Sequence, residues 1–351
     1  MTDINSILHF IKSYDGPPIQ IMEVCGTHTN SIFKYAINTL ISSKISLISG
    51  PGCPVCVTPA SYIDKAAEIA LQKNTTLYTF GDMIKVPGIK TSLSEARAMG
   101  ANVEIMYSPF EVLDIAICNP DKNYCIAAVG FETTIATYVL LIEKAIQMQV
   151  KNIKFLTSLK TIMPALGWIC DNNPSIDGFL APGHVSVILG SDIYTPFCDR
   201  YHIPLAICGF TGEQILAGIY DLIVQCQFGR AQMHNLYQNV VSSDGNTAAQ
   251  KLIDKYFKPE VANWRGLGSI NGSGLFLKEE YAFLDAGSRD LCGDEKLDNS
   301  CLCGNIIMGK ARPLDCPLFG NKCSPLSPIG PCMVSNEGTC GIWYRNGVRN
   351  K

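Results

Sequence analysis

The stretch Ser49-Gly50-Pro51-Gly52-Cys53-Pro54-Val55-Cys56-Val57-Thr58-Pro59 limits what this chain can become more than any other. An apolar run, Ile45, Leu47 and Ile48, reads as a short buried strand ahead of it, and a helix-like segment from Ser61 to Gln72 follows. The two thiols therefore sit on a strand-to-helix turn, and in α/β sheets such turns lie at the carboxyl ends of the strands, where ligands bind. Gly50 and Gly52 allow a tight bend, while Pro51, Pro54 and Pro59 stiffen it. A rigid loop presenting Cys-x-x-Cys is suited to holding an ion or exchanging electrons.

The same strand-loop-helix unit recurs along the chain. Ile19–Val24 runs into Cys25-Gly26-Thr27-His28-Thr29 and a helix carrying Ile32, Phe33, Ala36, Ile37, Leu40 and Ile41. Thr76–Phe80 runs into Gly81-Asp82-Met83, with a helix from Ser94, and Val103–Met106 is a fourth strand. Right-handed crossovers predict one sheet edge carrying Cys25 and His28, Cys53 and Cys56, and Asp82. A second α/β unit starts near residue 120. Cys125–Val129 leads to Gly130-Phe131-Glu132-Thr133-Thr134 and a helix over Ala136–Met148. Ile153–Thr157, Gly178–Leu180 and Pro204–Cys208 are further strands, and Ala181-Pro182-Gly183-His184 follows one of them.

The expected fold is α/β, with two similar parallel-sheet domains (1–120 and 121–227) facing a cleft. A smaller Cys-rich domain, 228–351, completes the chain. Glu132 and His184 are the second unit's candidates for the cleft; Glu132 follows a strand and reads equally as a helix N-terminal carboxylate favoured by the dipole, and His184 as a supporting base or a satisfied structural histidine. After residue 228 a helix is expected through Gln232, Leu236, Asn239 and Val240, then turn-rich sequence at Trp264-Arg265-Gly266-Leu267-Gly268 and Asn271–Gly274. Two domains or more suit 351 residues, since single cores stop growing at roughly 250–300.

Net charge of −3 offers no electrostatic reason to expect nucleic acid, and no apolar run is long enough to span a bilayer. The first residues lack a signal-peptide layout, so a cytoplasmic location is expected. In a reducing compartment sixteen cysteines point to metal or redox chemistry rather than structural disulfides. Cys118, Cys125, Cys170, Cys198, Cys208 and Cys226 stand singly in apolar surroundings and read as small core hydrophobes.

Cys25-x2-His28 with Cys53-x2-Cys56 offers three sulfurs and an imidazole, which suits a structural zinc, an open site for iron or another thiophilic ion, or a redox dithiol. The last sixty residues hold Cys292, Cys301, Cys303, Cys316, Cys323, Cys332 and Cys340. Their irregular spacing departs from ferredoxin and from paired zinc knuckles, yet four of these thiolates could hold a [4Fe–4S] cluster, with zinc the alternative. No phosphate-binding glycine loop ending in Lys-Ser/Thr occurs.

Cys25-Gly-Thr-His28, Gly50-Pro-Gly-Cys-Pro-Val-Cys56-Val-Thr-Pro59, Phe80-Gly-Asp-Met83, Gly130-Phe-Glu-Thr-Thr134 and Pro182-Gly-His-Val185 resemble the HypD family of hydrogenase maturation factors. So do Trp264-Arg-Gly-Leu-Gly268, Cys316-Pro-Leu-Phe-Gly-Asn-Lys-Cys323 and Cys332-Met-Val-Ser-Asn-Glu-Gly-Thr-Cys340. One departure is Ala136, where the family tends to have Pro. The resemblance implies an assembly scaffold with redox activity rather than a multiple-turnover enzyme. It implies construction of the Fe(CN)2(CO) unit of [NiFe]-hydrogenase with a small HypC-type partner and a HypE-type cyanide donor. By the same resemblance Cys25 binds iron with His28 as nearby support, and Cys53 and Cys56 form a dithiol/disulfide pair able to feed electrons or bind the ion. The tail holds a [4Fe–4S] cluster on Cys303, Cys316 and Cys323, with Cys332 or Cys340 as the fourth ligand. A cluster-dependent dithiol oxidoreductase is the alternative.

Overall fold

A computed structural model describes residues 3–173, 175–291 and 300–347. Cys292, one of the tail thiols, lies outside them. Among the described residues eleven strands form: β1 (Ile19–Glu23), β2 (Ile45–Ser49), β3 (Thr75–Thr79), β4 (Val103–Ile105), β5 (Asn123–Gly130), β6 (Ile153–Lys160), β7 (Gly178–Pro182), β8 (Leu205–Cys208), β9 (Met233–Asn235), β10 (Phe257–Trp264) and β11 (Gly268–Leu277). They make two sheets in an α/β architecture. The first is parallel throughout, in the order β2-β1-β7-β8-β9. The second runs β10-β11-β6-β5-β3-β4, parallel from β6 to β4 and closed by the antiparallel hairpin β10/β11.

The central strands are apolar because both faces are covered. Seven of the eight residues of β5 are buried, the near-continuous pattern of a strand packed on two sides. Ser92 with Glu95 and Ser108 with Glu111 close capping boxes that start the helices Leu93–Ala98 and Pro109–Cys118. On the first sheet, helices Ile4–Ser13 and Gly212–Gln227 supply Ile7, Ile11, Ile215, Ile219 and Leu222 to one core with Ile21, Leu180 and Ala206. The opposite core joins Met22, Phe179 and Ile207 of that sheet to Cys53, Cys56, Trp264 and the tail thiols Cys316, Cys323, Cys332 and Cys340. The second sheet packs between helix Glu132–Gln147 on one face and helix Ala60–Ala70 on the other.

The sheets do not divide at residue 120. β1 and β2 pair with β7 of the later half, whereas β3 and β4 pair with β5. The chain crosses between sheets three times, after β2, β6 and β9, so each sheet is completed by distant sequence. Consequently the loops after β1 and β2 share an edge, but the Asp82 loop belongs to the other sheet, against the single edge expected for all three. The Cys-rich region likewise begins later than residue 228. Met233–Asn235 is a strand rather than part of a helix, because β8 offers it an open edge and Leu236 donates its N–H to the Ile207 carbonyl at 2.9 Å. The turn-rich sequence at 264–274 is the end of β10, a tight turn and β11; an irregularity between Glu260 and Ala262 masks its alternation. Of the six solitary cysteines, Cys125, Cys198 and Cys208 are buried, Cys170 and Cys226 half-buried, and Cys118 is exposed. Among the described residues no helix is long and apolar enough to cross a membrane.

Candidate functional site

Cys25 stands between β1 and helix Gly26–Lys34, extended at φ −152° as the residue before the first helical turn. The N–H groups of Thr27 and His28 point to its thiol, and its own N–H donates to Glu23 Oε2 at 3.1 Å. Free helix N–H groups favour a thiolate. Burial opposes them and wins, with the Glu337 and Glu23 carboxyls adding to it, so the thiol is pushed up to about 12. Glu23 is itself buried, bonded to the Thr29 hydroxyl, and burial raises its carboxyl to about 8.

Two close approaches assemble the surroundings of Cys25. A Cβ on Gly52 would lie 2.4 Å from the Cys25 nitrogen and 2.5 Å from its Cα, so only glycine lets the second loop rest against the first. A Cβ on Gly26 would lie 2.4 Å from Glu337 Cβ and 2.5 Å from the Glu337 carbonyl oxygen. The Cys53/Cys56 loop and the tail thus meet at Cys25 from two sides. Asp82 fixes the second meeting. Its Oδ2 accepts from the Ser335 hydroxyl at 2.9 Å and the Asn336 N–H at 3.0 Å, latching the segment that carries Glu337. Asp82 therefore reaches the Cys25 neighbourhood through the tail, from the other sheet.

Cys53 and Cys56 are joined as a disulfide, 5.3 Å between their Cα atoms and almost fully buried. In this form their sulfurs are bonded to each other, and among the described residues no three His, Cys, Asp or Glu side chains are set to hold a single metal ion. His28 is fully buried and turned towards Gly209 O, 3.1 Å from Nε2, with Cys208 Sγ at 3.6 Å. Burial lowers it to about 4, so it is a neutral ring beside Cys25. It packs on Phe210 at 4.7 Å between centroids, and exposed His184 stacks on the same phenyl ring at 4.1 Å. Glu132 opens its helix, as its place after a strand suggested. Oε1 accepts the Ile162 N–H at 2.8 Å, Oε2 is buried with no hydrogen-bond partner among the described residues, and burial raises the carboxyl to about 7.

The tail thiols converge. Cys301, Cys303 and Cys332 are in side-chain contact, and Cys340 lies close enough to feel the charges of Cys303, Cys323, Cys301 and Cys316. Burial raises Cys340 well above the usual thiol range, with its sulfur neighbours contributing. Cys301 and Cys303 are half-buried and the other four buried, and a gathering of thiols of this kind suits the donor chemistry of an iron–sulfur cluster. The sulfurs do not separate into four ligands and two spares, and Cys301 is drawn in with the rest.

Sequence reasoning assigned no individual role to Glu23, Glu337 or Arg265, although Glu337 and Arg265 stand inside quoted motifs and Glu23 lies two residues before Cys25. Arg265 is buried, 5% exposed, and its partners are remote in sequence.

Comparison with known proteins shows the family of the chain. Residues 2–347 match the family model described as HypD, Hydrogenase formation hypA family. The chain is 39% identical over 336 residues to the hydrogenase maturation factor HypD of Escherichia coli (strain K12), covering 93% of this chain and 89% of that protein. It is 41% identical over 339 residues to the HypD of Azotobacter vinelandii, with the same coverage, and 36% identical over 341 residues to that of Rhodobacter capsulatus, covering 94% and 90%. With the match spanning both sheets and the Cys-rich region, the chain belongs to the HypD family of hydrogenase maturation factors.

Proposed function

We propose that this protein is the scaffold on which the Fe(CN)2(CO) unit of [NiFe]-hydrogenase is built, working in the cytoplasm with a HypC-type partner and a HypE-type cyanide donor. The iron under construction is cargo, held at Cys25. The observation that carries this reading is the double approach of Gly52 and Glu337 to Cys25, which brings the disulfide loop and the tail against one thiol at a helix N-terminus. Thr27 and His28 N–H groups stabilise negative charge on that sulfur once a cation displaces its proton. The buried, neutral ring of His28, packed on Phe210, adds no charge beside that sulfur.

Cys303, Cys316, Cys323 and either Cys332 or Cys340 would hold a resident [4Fe–4S] cluster, which supplies single electrons when bound. The Cys53–Cys56 disulfide is packed in the same core as these thiols, and the Gly52 contact joins it to Cys25. The pair therefore suits a two-electron store beside the assembly point. Its disulfide state also gives the second reading, a cluster-dependent dithiol oxidoreductase, its footing.

The test separates the two. The chain and its small partner are purified together without oxygen, and infrared bands of bound CN and CO are recorded with iron and sulfide content. Wild-type complex is expected to show the bands, and Cys25→Ala to lose them while keeping cluster iron and an unchanged circular dichroism spectrum. A Cys25→Ala protein that matures hydrogenase normally sinks the scaffold role and leaves the oxidoreductase.

A further inference from the structure

Arg265 occupies the turn between β10 and β11, at the junction of the disulfide loop and the cysteine-bearing tail. Its N–H donates to the carbonyl of Val57, the residue after Cys56, at 2.9 Å. Its Nη1 donates to the Pro87 carbonyl at 2.8 Å. The next residue, Gly266, touches the tail: a Cβ on Gly304 would lie 2.4 Å from the Gly266 carbonyl oxygen, directly beyond Cys303. One turn thus braces against both redox-capable elements.

The side chain is 5% exposed, and among the described residues no carboxylate pairs with it. A guanidinium stays charged at every pH a protein meets, so neutralisation offers no escape from the cost of burial. The Pro87 carbonyl satisfies one guanidinium donor, but it does not balance the charge. The anionic chemistry beside this turn is sulfur: Gly266 packs on Gly304, one residue beyond Cys303, and the flanking Trp264 and Leu267 share one core with Cys316, Cys323, Cys332 and Cys340.

We propose that Arg265 is the buried counter-charge of the sulfur-ligated anionic centre in the tail and sets its reduction potential from the side facing the Cys53–Cys56 loop. The inference rests on the cluster reading above. Arg265 is a positioning and electrostatic residue, with no ligand role. Because reduction adds one negative charge to the centre, a fixed cation beside it favours the reduced form.

The experiment compares wild type, Arg265→Gln and Arg265→Lys as full-length protein, each reconstituted with iron and sulfide under anaerobic conditions. Metal and sulfide content, thermal melting and the midpoint from a dye-mediated redox titration are measured. Arg265→Gln is expected to bind the same iron and sulfide and to be at least tenfold harder to reduce, a shift of about 59 mV or more to lower potential for one electron. Arg265→Lys, which keeps the charge, is expected to remain within that tenfold of wild type. A loaded Gln variant with the wild-type midpoint overturns this inference alone. Should the Gln variant not fold, a Lys variant displaced by more than tenfold overturns it. Absence of iron and sulfide from the wild type would overturn the cluster reading along with it.

Discussion

Glu132 shows how a single side chain acquires a property its sequence context hides. A carboxylate on the first residue of a helix is ordinarily stabilised by the dipole. Here burial outweighs the Ile162 N–H and the helix terminus, and the proton is held to about pH 7. The folded value lies above the unfolded one, so the stabilising contribution is complete below about pH 4.5 and disappears as pH rises through about 7. That window is worth about 3 kcal/mol. Glu132→Gln keeps an acceptor for Ile162 and is expected to flatten the loss of stability between about pH 4.5 and 7, read as urea midpoints of the metal-free chain. Glu23, raised to about 8, contributes a slope of the same sign, which the wild-type comparison cancels. Gly52 is the second decisive residue. The group its Cβ would strike is Cys25 backbone, which cannot rotate aside. Gly52→Ala is expected to cost about 1–3 kcal/mol by overpacking and to speed iodoacetamide labelling of Cys25.

At the scale of elements, the chemistry depends on turns that different sheets hold in place. The loops after β1 and β2 are neighbours because those strands pair in register from Ile19 with Ile45 to Glu23 with Ser49. The Asp82 turn arrives from β3 and acts through two hydrogen bonds to Ser335 and Asn336. Asp82→Ala removes the acceptor of both bonds and is expected to cost about 1–3 kcal/mol, towards the low end because Asn336 is exposed. Amide exchange at Asn336 and Glu337 should accelerate, while amides in β5 stay protected; equal acceleration of both would show that Asp82 is no local latch. The strand-loop-helix units were legible because Val, Ile and Leu runs stop at Gly and Pro, and a backbone of that composition has few local choices. β9 and the β10/β11 hairpin were not. Three residues of strand carry too little alternation to recognise, and Gly272, Ser273 and Gly274 read as loop until β6 supplies a partner for them.

For the whole molecule, the interleaving of the sheets makes the parts interdependent. Residues 1–120 contain β1 and β2 without β7, and β3 and β4 without β5. Fragments 1–120 and 121–351, expressed apart, are expected to lack native circular dichroism, and the intact chain to melt in one transition. Independent folding of either fragment would show that the sheets are not the cooperative units. The central core, which runs from Met22 through the Cys53–Cys56 disulfide and Trp264 to the tail thiols, gives the reason. Disulfide, turn and tail share one packed interior, so disturbance at one is transmitted through contacts rather than through a flexible linker.

Local sequence determined the kind of structure and the chemistry on offer: α/β units, thiol-bearing loops at strand ends, and a tail rich in cysteine. Those properties follow from short-range backbone preference and side-chain type. Tertiary structure alone decided which loops face one another, that Glu337 rather than His28 adds its charge to Cys25, and that Arg265 lies between disulfide and tail. Such facts depend on strands paired across long stretches of chain and on burial, which changes the protonation of a carboxyl or thiol only once distant elements have closed over it.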